Sequence, residues 1–278
     1  MPPTPTALLG LRITTLDGVG DPAWLDGFDF VQLGDEGGDN RVGEDPLSIA
    51  GWLVARTRTV GVVPVVSSDW APFHVARALA SLDLLSAGRA GWRSLPTTNP
   101  ARDAEHLDVV LKLFDSWDHD ALVFDKARSV FADRDKVRRI RHEGAYYTVD
   151  GPLNAPRPPQ GWPVKLGDAA STDPRDDLLV GALAVVAALE SRAGIRRLAE
   201  WPVDLTAEPD GVASAIGAAI SAGQCDGVML RPAGGAEVAA IRDELLPLLR
   251  PDGGARPGAD LRARLGVGRP VAISGAAA

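Results

Sequence analysis

Cys225 is the chain's one cysteine among 278 residues. No intramolecular disulfide can form, so a reducing cytosol is the expected compartment and Cys225 reads as a packing residue. Positive charge is also short, with 29 lysines and arginines against 37 acids and a formal charge of −8. A nucleic acid or an anionic bilayer needs a concentrated basic field, so neither is an expected partner; small molecules and proteins remain. No apolar run reaches membrane-spanning length, and residues 1–6 are polar and proline-rich with no basic region ahead of an apolar stretch. A soluble, unexported, cytoplasmic protein is expected. With 45% hydrophobic residues the chain can bury one large α/β core, and a single domain over residues 1–278 is favoured over two smaller ones.

The chain is organised around residues 62–92. Val62, Val63, Val65 and Val66 form a β-branched run broken only by Pro64, as in a buried parallel strand whose proline sits where no ladder donor is needed. Ser67, Ser68 and Asp69 end it. From Pro72, apolar Val75, Leu79, Leu82 and Leu85 recur at helical spacing until Gly88, and Trp92 opens another extended segment. This is a βαβ unit, and ligands of parallel sheets sit beyond the carboxyl ends of the strands, where Ser67, Ser68 and Asp69 lie.

Upstream, residues 8–15 and 28–33 read as the first two strands, and Asp45-Pro46 starts a helix reaching about Thr57. Asp35 follows the second strand and has two readings, a loop acid that caps the next element or a member of a ligand pocket. Downstream, a helix carries the stripe Leu107, Val110, Leu111 and Phe114, where His106 reads as structural. Thr97 and Thr98 ahead of it offer hydroxyls to a polar ring edge. Tyr146, Thr148 and Val149 suggest a β-hairpin with Gly144 and Gly151 at its turns, and His142 there is also read as structural. Residues 178–188 are an apolar run that periodicity alone assigns to neither strand nor helix. Residues 195–205 look extended, 209–222 helical, 225–232 extended and 238–249 helical.

Several of these stretches closely resemble one family. Pro72-Phe73-His74-Val75-Ala76-Arg77, Ala80-Ser81-Leu82-Asp83 and Gly88-Arg89-Ala90-Gly91-Trp92 are similar to the bacterial luciferase-like flavin monooxygenases, in the branch of nitrilotriacetate, pristinamycin-synthase and dibenzothiophene-sulfone enzymes. Asp115-Ser116-Trp117, Pro159-Gln160-Gly161 and Leu261-Arg262 through Arg269-Pro270 continue the likeness in order. The resemblance implies a TIM-type (β/α)8 barrel, complete or with fewer strands because the middle is shortened. It also implies an inserted β-hairpin arm at about residues 123–160, between the fourth helix and fifth strand. It places Asp35, Ser67, Ser68, Thr97 and Thr98 in a flavin pocket, and gives the loop with Gly167, Asp168 and Ser171 to the flavin phosphate. Close backbone approach suits an anion there, whereas the Asp168 carboxylate opposes it. The sequence departs from the family at Arg93, where an asparagine is expected, and at Ala101, where a tyrosine is expected.

The activity implied is a two-component monooxygenase: reduced FMN from a separate flavin reductase, acting on a small organic substrate, with no catalytic residue assigned. Loss of whole loops equally suits a non-catalytic or flavin-binding relative kept as a structural or dimer partner. A deazaflavin-dependent oxidoreductase is the third reading. A homodimer through the second and third helices is the pairing the resemblance implies.

Overall fold

The computed structural model describes residues 7–34 and 45–272, so Asp35 lies outside the described residues. Four parallel strands come first, β1 (Leu8–Ile13), β2 (Phe30–Leu33), β3 (Gly61–Ser67) and β4 (Gly91–Leu95). Two small antiparallel ribbons follow, β5 (Leu122–Asp125) with β6 (Val130–Ala132) and β7 (His142–Glu143) with β8 (Thr148–Val149). Then come β9 (Val164–Asp168), β10 (Leu178–Ala182), β11 (Arg196–Val203) and β12 (Gly227–Pro232). The eight parallel strands, β1 to β4 and β9 to β12, close into a barrel in the order β1-β12-β11-β10-β9-β4-β3-β2. The barrel therefore has its full complement of strands, and the expected arm holds two ribbons where the sequence suggested one.

The helices are α1 (Pro46–Val54), α2 (Pro72–Leu85), α3 (Pro100–Phe114), α4 (Leu183–Ala188), α5 (Pro209–Ser221), α6 (Gly235–Ala240), α7 (Leu246–Leu249) and α8 (Leu261–Leu265). Proline opens each of the first three, where its missing N–H costs nothing, and Asp45 and Asn99 accept from backbone amides as side-chain caps on α1 and α3. A π turn, Ile241–Leu245, joins α6 to α7. No helix of the described residues is long and apolar enough to cross a membrane.

The shortening falls in the crossovers. Residues 169–177 alone, without a helix, carry β9 to β10, and the six-residue α4 is all that covers the step from β10 to β11. The ambiguous run at 178–188 resolves into both states, strand to Ala182 and helix from Leu183. Its apolar character is uniform because the strand is buried on both faces while the helix is too short to show a period.

By internal contacts the chain forms two compact units, one of Met1–Val65, Arg89–Arg93 and Val164–Gly268 and one of Val66–Gly88, Ser94–Pro163 and Arg269–Ala278. The first holds the barrel interior, packed by Leu8, Phe30, Val63, Val164, Leu178 and Leu198. Gly10 is glycine because a Cβ there would lie 2.4 Å from the Phe30 ring. In the second unit, α2 and α3 pack together, and buried Asp83 of α2 accepts from the Gln160 amide nitrogen and side chain.

Candidate active site at the barrel mouth

Side chains alternate across a strand, so the inward positions can be read upward from the core. From Leu8 they run through Gly10 to Arg12, from Phe30 to Gln32, and from Gly91, whose Cβ would meet Val63 and Val164, to Arg93. Val164 and Leu166 lead to Asp168, Leu198 to Glu200, and Met229 to Arg231. On six strands an inward position toward the carboxyl end is thus polar or charged, and that is the end where barrel sites are built. All six belong to the first unit.

Their bonding is uneven. Arg12 donates to Glu200 at 2.5 Å, with the two side chains 5% and 20% exposed. In addition, Arg231 lies 3.9 Å from Glu200, and Arg93 lies 3.7 Å from Asp168 and 3.5 Å from the Gln32 Oε1. The Arg93 side chain is 5% exposed while that of Asp168 is 65% exposed. A buried guanidinium thus faces a carboxylate that is mostly in water, and solvent weakens that one contact. Chemically, the mouth offers guanidinium donors beside an amide acceptor, a set that recognises a planar, partly anionic ring edge or a carboxylate.

The other predicted residues are placed differently. Gly167 faces outward, and its missing Cβ leaves room for the Asp176 carboxylate, which would lie 2.2 Å away. Asp176 is buried, ion-paired with Lys165, and accepts the Ser171 hydroxyl. Gly167 and Ser171 are therefore both engaged by a carboxylate, while Asp168 next to them joins the inward ring.

In the second unit, buried Ser68 shares a 2.8 Å hydrogen bond with Ser94, and the Ser67 hydroxyl accepts from the Asp69 amide to shape the turn after β3. Thr97 donates through both its amide and its hydroxyl to Asp103, a brace for the start of α3, and Thr98 is exposed. His106 is buried with Nε2 3.0 Å from the Trp70 carbonyl. Burial pushes its pKa down, against the Trp70 bond, so a neutral ring donating from Nε2 is the consistent tautomer. His142 bridges the arm to α3, with Nε2 3.1 Å from Glu105 and Nδ1 3.2 Å from the Lys112 ammonium.

The ring residues Arg12, Gln32, Glu200 and Arg231 escaped sequence reading. Their signal was present as a charged or amide side chain at the end of an otherwise apolar alternation, visible only once strand ends and facing were fixed.

Comparison with known proteins follows the same outline. Residues 25–93 match the luciferase-like monooxygenase family. The chain is 39% identical over 164 residues to a dibenzothiophene-sulfone monooxygenase of Rhodococcus erythropolis, covering 52% of this chain and 36% of that protein. It is 41% identical over 142 residues to a component of the pristinamycin IIA synthase of Streptomyces pristinaespiralis, covering 50% of this chain and 51% of that component. The chain thus spans about a third to a half of these relatives, and the matches support the resemblance to this monooxygenase branch. A long-chain alkane monooxygenase structure superposes with a TM-score of 0.74 at 16% identity, over 94% of this chain and 96% of that one. At that identity the likeness concerns the fold alone, a closed parallel (β/α)8 barrel.

Proposed function

We propose that the protein is the oxygenase of a two-component system, using reduced FMN delivered by a separate reductase to oxygenate a small organic substrate. The observation that carries this reading is the inward polar ring at the carboxyl ends of a closed parallel barrel. Arg93 and Gln32 supply a cationic donor and an amide acceptor, the complement of the anionic acceptors and ring N–H at a reduced flavin's pyrimidine edge. The loop proposed for the phosphate fits less well, because the space beside Gly167 is taken by Asp176.

When bound, reduced FMN would supply the electrons for dioxygen activation. The chain's part is to bind and orient: Arg93 would hold the anionic ring edge, Gln32 would fix its register, and the apolar layer below would keep water from the barrel interior. Asp35, Ser67, Ser68, Thr97, Thr98 and Asp168 remain proposed contributors to the pocket, with Gly167 and Ser171 acting through Asp176. A homodimer through α2 and α3 and a cytoplasmic location complete the proposal; Leu84 and Leu85 at the end of α2 are exposed apolar side chains that such pairing would cover.

A second reading, a non-catalytic relative serving as a structural partner, draws on the guanidiniums standing in the mouth itself. Anaerobic titration with reduced FMN separates the two. Binding followed by oxygen-dependent turnover is the expected result. No binding at about millimolar flavin refutes the oxygenase reading, and binding without turnover favours a flavin-binding partner. A response to deazaflavin alone favours the third, oxidoreductase reading.

A further inference from the structure

A groove of about 520 Å³ lies in the second unit, with Asp118, His119, Arg157, Gly161, Arg269 and Pro270 among its lining residues. It shares no residue with the polar ring of the barrel. Arg157 is its anchored member. The side chain is 15% exposed, and Nη1 pairs with Asp115 at 2.6 Å and lies 3.5 Å and 3.4 Å from the Phe114 and Trp117 carbonyls at the end of α3. Asp115 is held in turn by Trp162 Nε1 at 3.0 Å. Nε and Nη2 of Arg157 have no hydrogen-bond partner among the described residues, and neither atom is sealed from solvent. A Cβ at Gly161 would lie 3.6 Å from Nη2 and 3.2 Å from Pro270 Cγ, and Gly161 has φ +80°. Glycine therefore keeps the groove open beside that edge of the guanidinium.

The geometry points to this groove as a binding site for a small organic anion, a carboxylate or a phosphate monoester, with the anionic group on the Nε–Nη2 edge of Arg157. That edge presents two parallel N–H donors, the fork that carboxylates and phosphates accept. Three acceptors fix Nη1, so the fork is set before the ligand arrives and little further ordering opposes binding. Asp118 is the only carboxylate among the lining residues, and Arg138 already neutralises it through both Nη atoms. Arg269, held to the Pro159 carbonyl at 3.0 Å, and the exposed His119 ring add donors along the same groove. Pro159 and Pro270 supply apolar wall for the ligand's body. The volume falls within the roughly 300–1,000 Å³ of small-molecule sites, well beyond what an inorganic ion fills. The site is independent of the oxygenase reading, because none of its residues belongs to the barrel mouth.

Calorimetric titration with benzoate and phenyl phosphate tests this, against benzamide, phenol and inorganic phosphate. At least one of the two organic anions should bind with a Kd near or below about 1 mM, and the neutral compounds should not bind. The tighter of the two identifies the head group. Arg157→Lys keeps the charge but loses the fork, and should weaken binding by about tenfold or more. Arg128→Gln, on the β5–β6 ribbon, should leave affinity unchanged. If Arg157→Lys does not fold by circular dichroism, proton NMR of the wild-type protein decides, with His119→Gln assigning the ring resonances. Saturating anion should shift those of His119 and leave those of His74, on α2, in place. Failure of both organic anions to bind, equal binding of benzamide or phenol, or unchanged affinity in folded Arg157→Lys overturns the inference. So does an unmoved His119 ring. Inorganic phosphate binding as tightly as the better organic anion also overturns it, because the walls of the groove would then contribute nothing.

Discussion

Gly167→Ala distinguishes two reasons for a glycine. If the residue is small to let its backbone approach a phosphate, an added methyl should leave the free protein's stability nearly unchanged. The structure gives another reason: a Cβ would lie 2.2 Å from Asp176 Oδ2 and 2.4 Å from its Cγ. The φ of Gly167 is not positive, so alanine brings no backbone strain and the effect is purely steric. The carboxylate cannot swing aside cheaply, since it is buried, paired with Lys165 and hydrogen-bonded by Ser171.

Overpacking costs about 1–3 kcal/mol, and separating a buried ion pair costs roughly 3–5 kcal/mol. A loss of about 2–4 kcal/mol is therefore expected for Gly167→Ala. Asp176→Ala should cost about 3–5 kcal/mol by stranding Lys165, but in that background the added methyl meets no carboxylate and should cost at most about 0.5 kcal/mol. A double-mutant cycle from urea unfolding should then show a coupling of roughly 1.5 kcal/mol or more. The reasoning fails if Gly167→Ala costs less than about 0.5 kcal/mol, or if its cost is the same with and without Asp176.

Two further outcomes concern the second unit. Glu105 accepts from the Tyr146 and Tyr147 amides and from His142; burial opposes its ionisation, but these bonds together hold its pKa below the usual carboxylate range. Its contribution is present above the unfolded carboxylate pKa and disappears as pH falls through the lower folded value. Glu105→Gln should accordingly speed hydrogen exchange at the Tyr146 and Tyr147 amides near neutrality, and unchanged exchange would show that the arm is held by other contacts. His106, lowered by burial, is neutral when folded and takes up a proton more readily when unfolded, so its contribution is lost as pH falls below the unfolded value of about 6.5. His106→Phe should flatten the drop in urea midpoint between about pH 7 and 5, and an unaltered slope would assign that drop to other groups.

The frame was legible because it is built from local, repetitive signals. The valine run became β3, the spacing from Val75 to Leu85 became α2, and Pro46 and Pro72 sit at the first positions of their helices. Residues 169–177 were harder, because a loop that covers a strand without forming a helix has no period. Its assignment depends on a tertiary pairing, Asp176 with Lys165, that nothing adjacent announces. The site was legible only in part for the same reason. Arg93 stood out as a departure from a resembling family, whereas Arg12, Gln32, Glu200 and Arg231 acquire meaning when strands distant in sequence bring their ends together. The glycine and serine assigned to phosphate had the right residue types, but residue type does not reveal that a neighbouring carboxylate already occupies them.

Stability alone gives no reason for charge at this mouth. Replacing a buried ion pair with apolar side chains of similar volume is often neutral or stabilising, because desolvation consumes most of the Coulomb gain. The barrel demonstrates the apolar solution one layer down, where Leu8, Phe30, Val164 and Leu198 fill the interior. Yet at the carboxyl ends buried Arg12 pairs with half-buried Glu200, and Arg93 is buried against a carboxylate that faces water. The charged ring therefore agrees with the proposed ligand site better than with a purely structural role, since it is confined to the end of a parallel barrel where ligands bind.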